Sequence, residues 1–206
     1  LPTLEPRYNI APTQPIPAVL QQGGDRHFTH LRWGLIPPWA KDLSMGARMI
    51  NARSETAAEK PSFRHALRQR RCLILADGFY EWERTPTGKQ PHFFYLPDLQ
   101  ASEAETRQPF AFAGLWERWE SPEGDWIGSG TILTTAANSL LRPLHERMPV
   151  ILQTEAYSQW LDPGQSVAQV APLLTSFSAA DMASYPVDPQ VNGSQQDHLE
   201  ILKRLR

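Results

Sequence analysis

Leu75-Ala76-Asp77-Gly78-Phe79-Tyr80-Glu81-Trp82-Glu83 decides how the chain is read. The apolar run Cys72 to Ala76 leaves no room for an amphipathic helix, and Asp77-Gly78 is turn chemistry, because glycine takes positive φ freely. One strand therefore ends there and another begins. On the second strand side chains alternate, with Phe79, Glu81 and Glu83 on one face and Tyr80 and Trp82 on the other. If the aromatics pack inward, Glu81 faces a surface or a cleft. Taken alone, the stretch reads more plainly as a solvated glutamate on a half-exposed strand.

The 206 residues suffice for one domain, 1–206, with a core that needs neither disulfides nor metals. Nineteen prolines, about 9 % against a usual ~5 %, argue for short strands and loops over long helices. The single cysteine excludes a disulfide framework and a Cys-rich zinc site, and makes the cytosol the default compartment. No apolar run approaches the ~18 residues of a membrane span, and no signal-peptide pattern opens the chain. Net charge is only −2, but it is segregated. Residues 1–71 carry eleven Arg+Lys and five Asp+Glu, a net of +6; the remainder carries nine and seventeen, a net of −8. Arg64, Arg68, Arg70 and Arg71 form the densest basic run, which fits either a phosphate-binding stripe or a solvated helix end.

Strands are expected at about Ile16–Gln21 and His27–Trp33, joined by a hairpin linker at 22–26. Pro37-Pro38 then presents Trp39 from a rigid loop, either as a core plug or as a platform for bases. Met49–Thr56 reads as extended, with Asn51, Arg53 and Glu55 on one face. Ser62 is placed to cap a short helix from Phe63 to Gln69. Further strands are expected at Cys72–Ala76, Phe79–Glu83, His92–Leu96, Phe110–Trp119, Trp126–Ala136 and Val150–Leu152, with turns at Pro86–Gly88 and Ser121–Gly124. Short helices are expected at Asn138–Leu141, Thr154–Leu161 and Ser166–Leu173; His145–Pro149 reads as a loop and Val191–Asp197 as a surface loop. The fold class is α+β: one mostly antiparallel sheet, curled into a barrel, with short helices.

Five segments resemble the SOS response-associated peptidase (SRAP) family of abasic-site processing proteins: Arg7-Tyr8-Asn9-Ile10-Ala11-Pro12-Thr13, Arg32-Trp33-Gly34-Leu35-Ile36-Pro37, Ile50-Asn51-Ala52-Arg53-Ser54-Glu55-Thr56, Ala76-Asp77-Gly78-Phe79-Tyr80-Glu81-Trp82 and His145-Glu146-Arg147-Met148-Pro149. They follow the family's order across nearly the whole chain, and Val191-Asn192 resembles its C-terminal element. The resemblance implies a monomer with a basic cleft for single-stranded DNA that contains abasic sites. It also implies covalent trapping of those sites as a thiazolidine by an N-terminal cysteine, exposed when the initiator Met is removed by the protein itself. The family's opening Met-Cys-Gly-Arg is not among these residues, and the chain is expected to be incomplete at its N-terminus. Cys72, inside an apolar strand and without a free α-amine, is no substitute.

The implied reaction needs no cofactor or metal. It joins an aldehyde, an amine and a thiol, and an acid must protonate the sugar ring oxygen as the ring opens. An α-amine near ~7.7–8.0 and a thiol near ~8.5 are both mainly protonated at neutral pH and require a base. The resemblance places Glu81 and His145 at the acid–base positions. Burial beside Phe79 is expected to raise Glu81, because an ionised carboxylate would hold the amine as ammonium. An imidazole, titrating ordinarily near ~6.5, suits donation to the ring oxygen. Asn51 would orient sugar or amine, and Arg53 a phosphate. Arg7, Pro12, Trp39, Arg64, Arg70 and Arg71 complete the expected DNA contacts. The rival readings are a non-covalent single-strand DNA binder and a Glu81/His145 hydrolase acting on a small substrate.

Overall fold

The computed structural model describes residues 4–86, 88–98 and 106–205. In chain order its strands are β1 (Pro15–Gln22), β2 (Asp25–Trp33), β3 (Asn51–Arg53), β4 (Arg71–Ala76), β5 (Phe79–Thr85), β6 (Gly88–Tyr95), β7 (Phe110–Glu120), β8 (Trp126–Ala136), β9 (Arg147–Pro149), β10 (Ile151–Leu152) and β11 (Ala183–Pro186). Four short helices accompany them: α1 (Ser54–Ala57), α2 (Arg64–Gln69), α3 (Tyr157–Leu161) and α4 (Val167–Val170). None is long and apolar enough to cross a membrane, among the described residues.

Five strands close into a ring, β7-β4-β1-β2-β8, because β8 pairs with both β2 and β7. Every contact in the ring is antiparallel except β2–β8. The mostly antiparallel curled sheet expected from the sequence is thus a closed mixed barrel. Closure leaves the ring strands without free edges, the constraint that open sheets must otherwise manage. Alternation then sorts the side chains. Ile16, Ala18, Leu31, Ile74, Phe112 and Ile132 face inward, whereas Leu73, Ala113, Leu115 and Leu133 face outward onto Leu67 of α2, Trp160 of α3 and Val170 of α4. A second sheet, β11-β6-β5, lies across the barrel mouth. Phe79 of β5 stacks on Phe94 of β6 with centroids 5.4 Å apart, and meets Phe112 of the barrel edge-on at 5.8 Å.

The Asp77-Gly78 step joins these two sheets and is not a hairpin turn, since β4 and β5 do not pair. Gly78 is not at positive φ. It is required for space: a Cβ there would lie 2.0 Å from Phe93 Cζ and 2.8 Å from the Phe94 carbonyl oxygen.

Other expectations change for local reasons. Only Asn51–Arg53 of the Met49–Thr56 stretch is strand; Ser54 begins α1, so Glu55 leaves the strand face. The N-cap of α2 is Phe63, without a side-chain bond, so Ser62 does not cap it. Residues 138–144 form turns rather than a helix, with Asn138 Oδ1 accepting from the Leu140 and Leu141 amides. Arg147–Pro149 is strand, paired with β8. The surface loop expected at Val191–Asp197 is an anchor. Val191 is buried, Asn9 Nδ2 donates to the carbonyls of Val191, Gly193 and Gln196, and Asp197 accepts from the Tyr8 and Asn9 amides and pairs with Arg7.

Arg71 rivets α3 to the barrel. Its buried guanidinium donates to the carbonyls of Leu67, Trp160, Asp162 and Gln165. Trp160, fully buried, returns a bond from Nε1 to the Cys72 carbonyl at 2.9 Å.

Two substitutions test these packing constraints by urea or thermal denaturation. Gly78→Ala should overpack the sheet junction and cost about 1–3 kcal/mol, each kcal/mol lowering Tm by about 2–4 °C in a chain of this size. Arg71→Met should cost more than Gly78→Ala, of order 3–5 kcal/mol, because it strands buried carbonyls. An Arg71→Met chain as stable as the parent would show those bonds to be dispensable.

Candidate active site

Glu81 inherits its position from Phe79. Both lie on the same face of β5, and because Phe79 packs into the inward-facing core, Glu81 is carried to the rim of that core. The residues on the opposite face fix the strand: Tyr80 Oη donates to the Tyr8 carbonyl at 2.7 Å, and Trp82 Nε1 to Asn192 Oδ1 at 2.7 Å. The carboxyl is half-buried. Loss of hydration raises its pKa above the ordinary glutamate value; the charge of His145 and the Trp82 amide oppose that rise without cancelling it.

His145 reaches the same rim from the other side. Leu144 and Met148, flanking it, pack into the core that holds Phe79, and the ring itself is exposed. Asn51 joins through β8. It pairs with Ile132, also of that core, and its exposed side chain lies on the inward side because Ala52 faces outward. Glu81 and His145 thus interact directly through charge. Asn51 makes no hydrogen bond to either among the described residues, and its register opposite Ile132 places it four residues along β8 from the Ala136–Arg147 pair. Arg147 ties the flanks of β8 together: its guanidinium makes a two-pronged bond to Glu55 (2.7 and 2.8 Å) and a third to the Thr134 carbonyl (2.7 Å). Those bonds hold the Glu55 carboxyl below its ordinary pKa.

The expected DNA contacts divide. Arg53 is exposed on the side of Asn51. Pro12 is exposed in the turn before β1, next to Thr13, whose φ of 76° is unfavourable for a β-branched residue and is held by its amide donating to the Trp33 carbonyl at 2.8 Å. Trp39, 56 % exposed, stands with Arg64, His65 and Glu117 around a cleft of about 480 Å³. Its loop is pinned from below by Trp119 Nε1, which donates to the Ala40 carbonyl at 2.8 Å. Glu117 shares the outward face of Leu115, so this cleft and Asn51–Arg53 lie on opposite faces of the sheet. Arg70 pairs with the buried Glu117 carboxylate and stacks on Trp116. Arg7 pairs with Asp197 and Gln14. Arg71 is corrected: buried and bonded to five carbonyls, that of Arg68 included, it is unavailable to a phosphate.

Sequence reasoning missed His92. It lies directly opposite Glu81 in the β5–β6 register, with Nε2 3.1 Å from Glu83 Oε2. The signal was present, since the short connection between β5 and β6, which pair up to Thr85 and Gly88, fixes the register. Cys72 is fully buried, and burial pushes its thiol up.

A carboxyl whose pKa rises on folding holds its proton more tightly in the native state, so ionising it erodes stability as pH climbs from the unfolded value, near ~4.3, toward the raised one. Glu81→Gln should therefore raise Tm at pH 7, and the gain should vanish below about pH 4. A variant less stable than its parent at pH 7 would mean that the carboxylate is favoured where it sits.

The sequence profile described as SOS response associated peptidase (SRAP) matches residues 1–194. The abasic site processing protein YoqW of Bacillus subtilis (strain 168) is 44% identical over 200 residues, spanning 96% of this chain and 86% of the relative. The abasic site processing protein HMCES of Mus musculus is 34% identical over 228 residues, spanning 96% of this chain and 64% of its own length. An X-ray structure of a Bacteroides thetaiotaomicron protein superposes with a TM-score of 0.82 at 28% identity, covering 94% of this chain and 82% of that one. The match runs through all five segments and the barrel that holds them, and the chain belongs to the SOS response associated peptidase (SRAP) family.

Proposed function

We propose that the protein processes abasic sites in single-stranded DNA by trapping them covalently, with Glu81 and His145 moving the protons. The observation that carries this reading is the half-buried Glu81 carboxyl, raised by burial, beside the exposed His145 imidazole. Its relatives' names, abasic site processing proteins, support the substrate class. In the proposed sequence His145 protonates the ring oxygen of the abasic sugar as the C1–O ring bond breaks, and the C1 hydroxyl gives its proton to solvent, leaving an aldehyde. An α-amine, relieved of its proton by Glu81, adds to the aldehyde carbon; loss of one water gives an imine. A thiol then adds across the C=N bond, sulfur to carbon and proton to nitrogen, closing the thiazolidine. Asn51 orients the sugar or the amine, and Arg53 holds a neighbouring phosphate.

Cys72 offers a thiol without an α-amine, so in this reading the nucleophile is supplied by a Met-Cys-Gly-Arg terminus of the kind the family resemblance implies. Joining that terminus to the chain should give an adduct with abasic single-stranded DNA that survives denaturing electrophoresis. The 206 residues alone should bind that DNA and give none. In the extended chain His145→Ala should slow adduct formation by ~10²-fold or more, the range general acid catalysis supplies. Arg53→Ala should weaken binding and flatten its salt dependence. An extended chain that never forms the adduct would remove the covalent reading and leave a non-covalent DNA binder. An adduct formed by the 206 residues themselves would overturn the assignment of the nucleophile.

A further inference from the structure

His145 is exposed, yet one nitrogen of its ring is seated. Nδ1 lies 3.1 Å from the amide nitrogen of Arg147 and 3.1 Å from the carbonyl oxygen of the same residue. Both groups are free to serve it because of the sheet register. Arg147 pairs with Ala136, and the neighbouring Ala137 amide donates to the Glu146 carbonyl at 3.0 Å. That pattern marks Ala136–Arg147 as a non-hydrogen-bonded pair, so the N–H and C=O of Arg147 point away from β8. An imidazolium donates from Nδ1–H to the C=O, and so does the neutral tautomer left when Nε2 gives up its proton; only the other neutral tautomer, with its proton on Nε2, would accept from the N–H at Nδ1. One residue thus offers the ring a partner in both protonation states.

The guanidinium of Arg147 explains why that seat holds still. It passes across the end of β8 from β9 to Glu55, at the start of α1, and takes up the Thr134 carbonyl on the way. Half-exposed ion pairs contribute little to stability. This one instead locks the strand that carries the seat to the segment that carries Asn51 and Arg53.

We propose that Arg147, held by Glu55, is a positioning residue for His145: its carbonyl keeps Nδ1–H bonded whether the ring is charged or neutral, leaving Nε2 to exchange protons with the substrate without the ring turning. The proposal rests on the reading of His145 as the proton donor. An unseated, exposed ring would sample several rotamers and present Nε2 only part of the time.

The test uses the Met-Cys-Gly-Arg-extended chain. At saturating abasic single-stranded DNA, Arg147→Met should lower the single-turnover rate of adduct formation by about tenfold or more, the scale of a small misplacement of a reacting group, while the half-saturating DNA concentration stays within about twofold. Glu55→Gln should fall between variant and parent. In 15N-resolved NMR of the free protein at acidic pH, the imidazolium Nδ1–H of His145 should exchange slowly in the parent and be lost to exchange in Arg147→Met. A folded Arg147→Met chain with an unchanged rate, or one that keeps the slow Nδ1–H, overturns the proposal. If Arg147→Met fails to fold, Glu55→Gln carries both readouts, since its side chain is half exposed. The NMR arm needs neither DNA nor nucleophile, so an extended parent that forms no adduct would defeat the covalent reading while the spectrum still decides the seat.

Discussion

The absence of a side chain at Gly78 lets the two sheets meet. Where the chain leaves the barrel after β4, its backbone passes so close to Phe93 and the Phe94 carbonyl that even a methyl group has no space. That approach sets the height of the second sheet above the barrel, and hence whether Phe79 reaches both Phe94 and Phe112. Glu81 follows two residues on along the same face. Its loss of hydration is therefore a consequence of the sheet junction rather than of its own immediate neighbours in sequence. On the opposite face the bonds from Tyr80 to Tyr8 and from Trp82 to Asn192 tie that strand to the segments anchored by Asn9 and Asp197.

The arginine run shows why a basic stretch of sequence is not yet a basic surface. Four arginines within eight positions meet three different environments. Arg64 and Arg68 are exposed on α2, Arg70 neutralises the buried Glu117, and Arg71 turns inward to bind carbonyls at the end of α3. Arginine suits that last duty because its planar fork donates in several directions at once, which a lysine ammonium cannot do along fixed, coplanar lines. Burial lowers the pKa of the Arg71 guanidinium, yet a group that ordinarily titrates so far above neutrality keeps its charge.

Much of the fold was legible because period-2 alternation bounded by turn residues is a local signal. The hairpin through Gly23-Gly24, the turn at Ser121–Gly124 and strand β8 fall where the sequence placed them. What was not legible is decided at long range. Asp77-Gly78 has the composition of a hairpin turn, and only the proximity of Phe93, fifteen positions later, shows it to be a crossing. Arg71 looked like its neighbours because nothing local announces that α3 will dock beside it. Of the candidate site, Glu81 and His145 were found through motif resemblance, and the alternation of β5 supported the first. His92 was missed although the hairpin register specified it, and Glu55 was misplaced onto a strand face because the helix begins one residue earlier, at Ser54.

The pairing of a burial-raised carboxyl with an exposed imidazole has a consequence for how the proposed steps follow one another. Burial favours the protonated form of Glu81, and a positive charge on His145 favours the ionised form. The two groups are therefore linked in opposite senses. While His145 carries its proton, Glu81 is held nearer to a carboxylate. Once His145 has given that proton to the sugar oxygen, the opposing charge is gone and only the Trp82 amide still works against the desolvation of Glu81, so its affinity for a proton rises. In the proposed sequence this is the moment at which an ammonium must lose a proton to attack the new aldehyde. Donation at one group thus prepares acceptance at the other, with no rearrangement beyond the transfers themselves, and the half-exposed rim supplies the dielectric contrast on which the linkage depends.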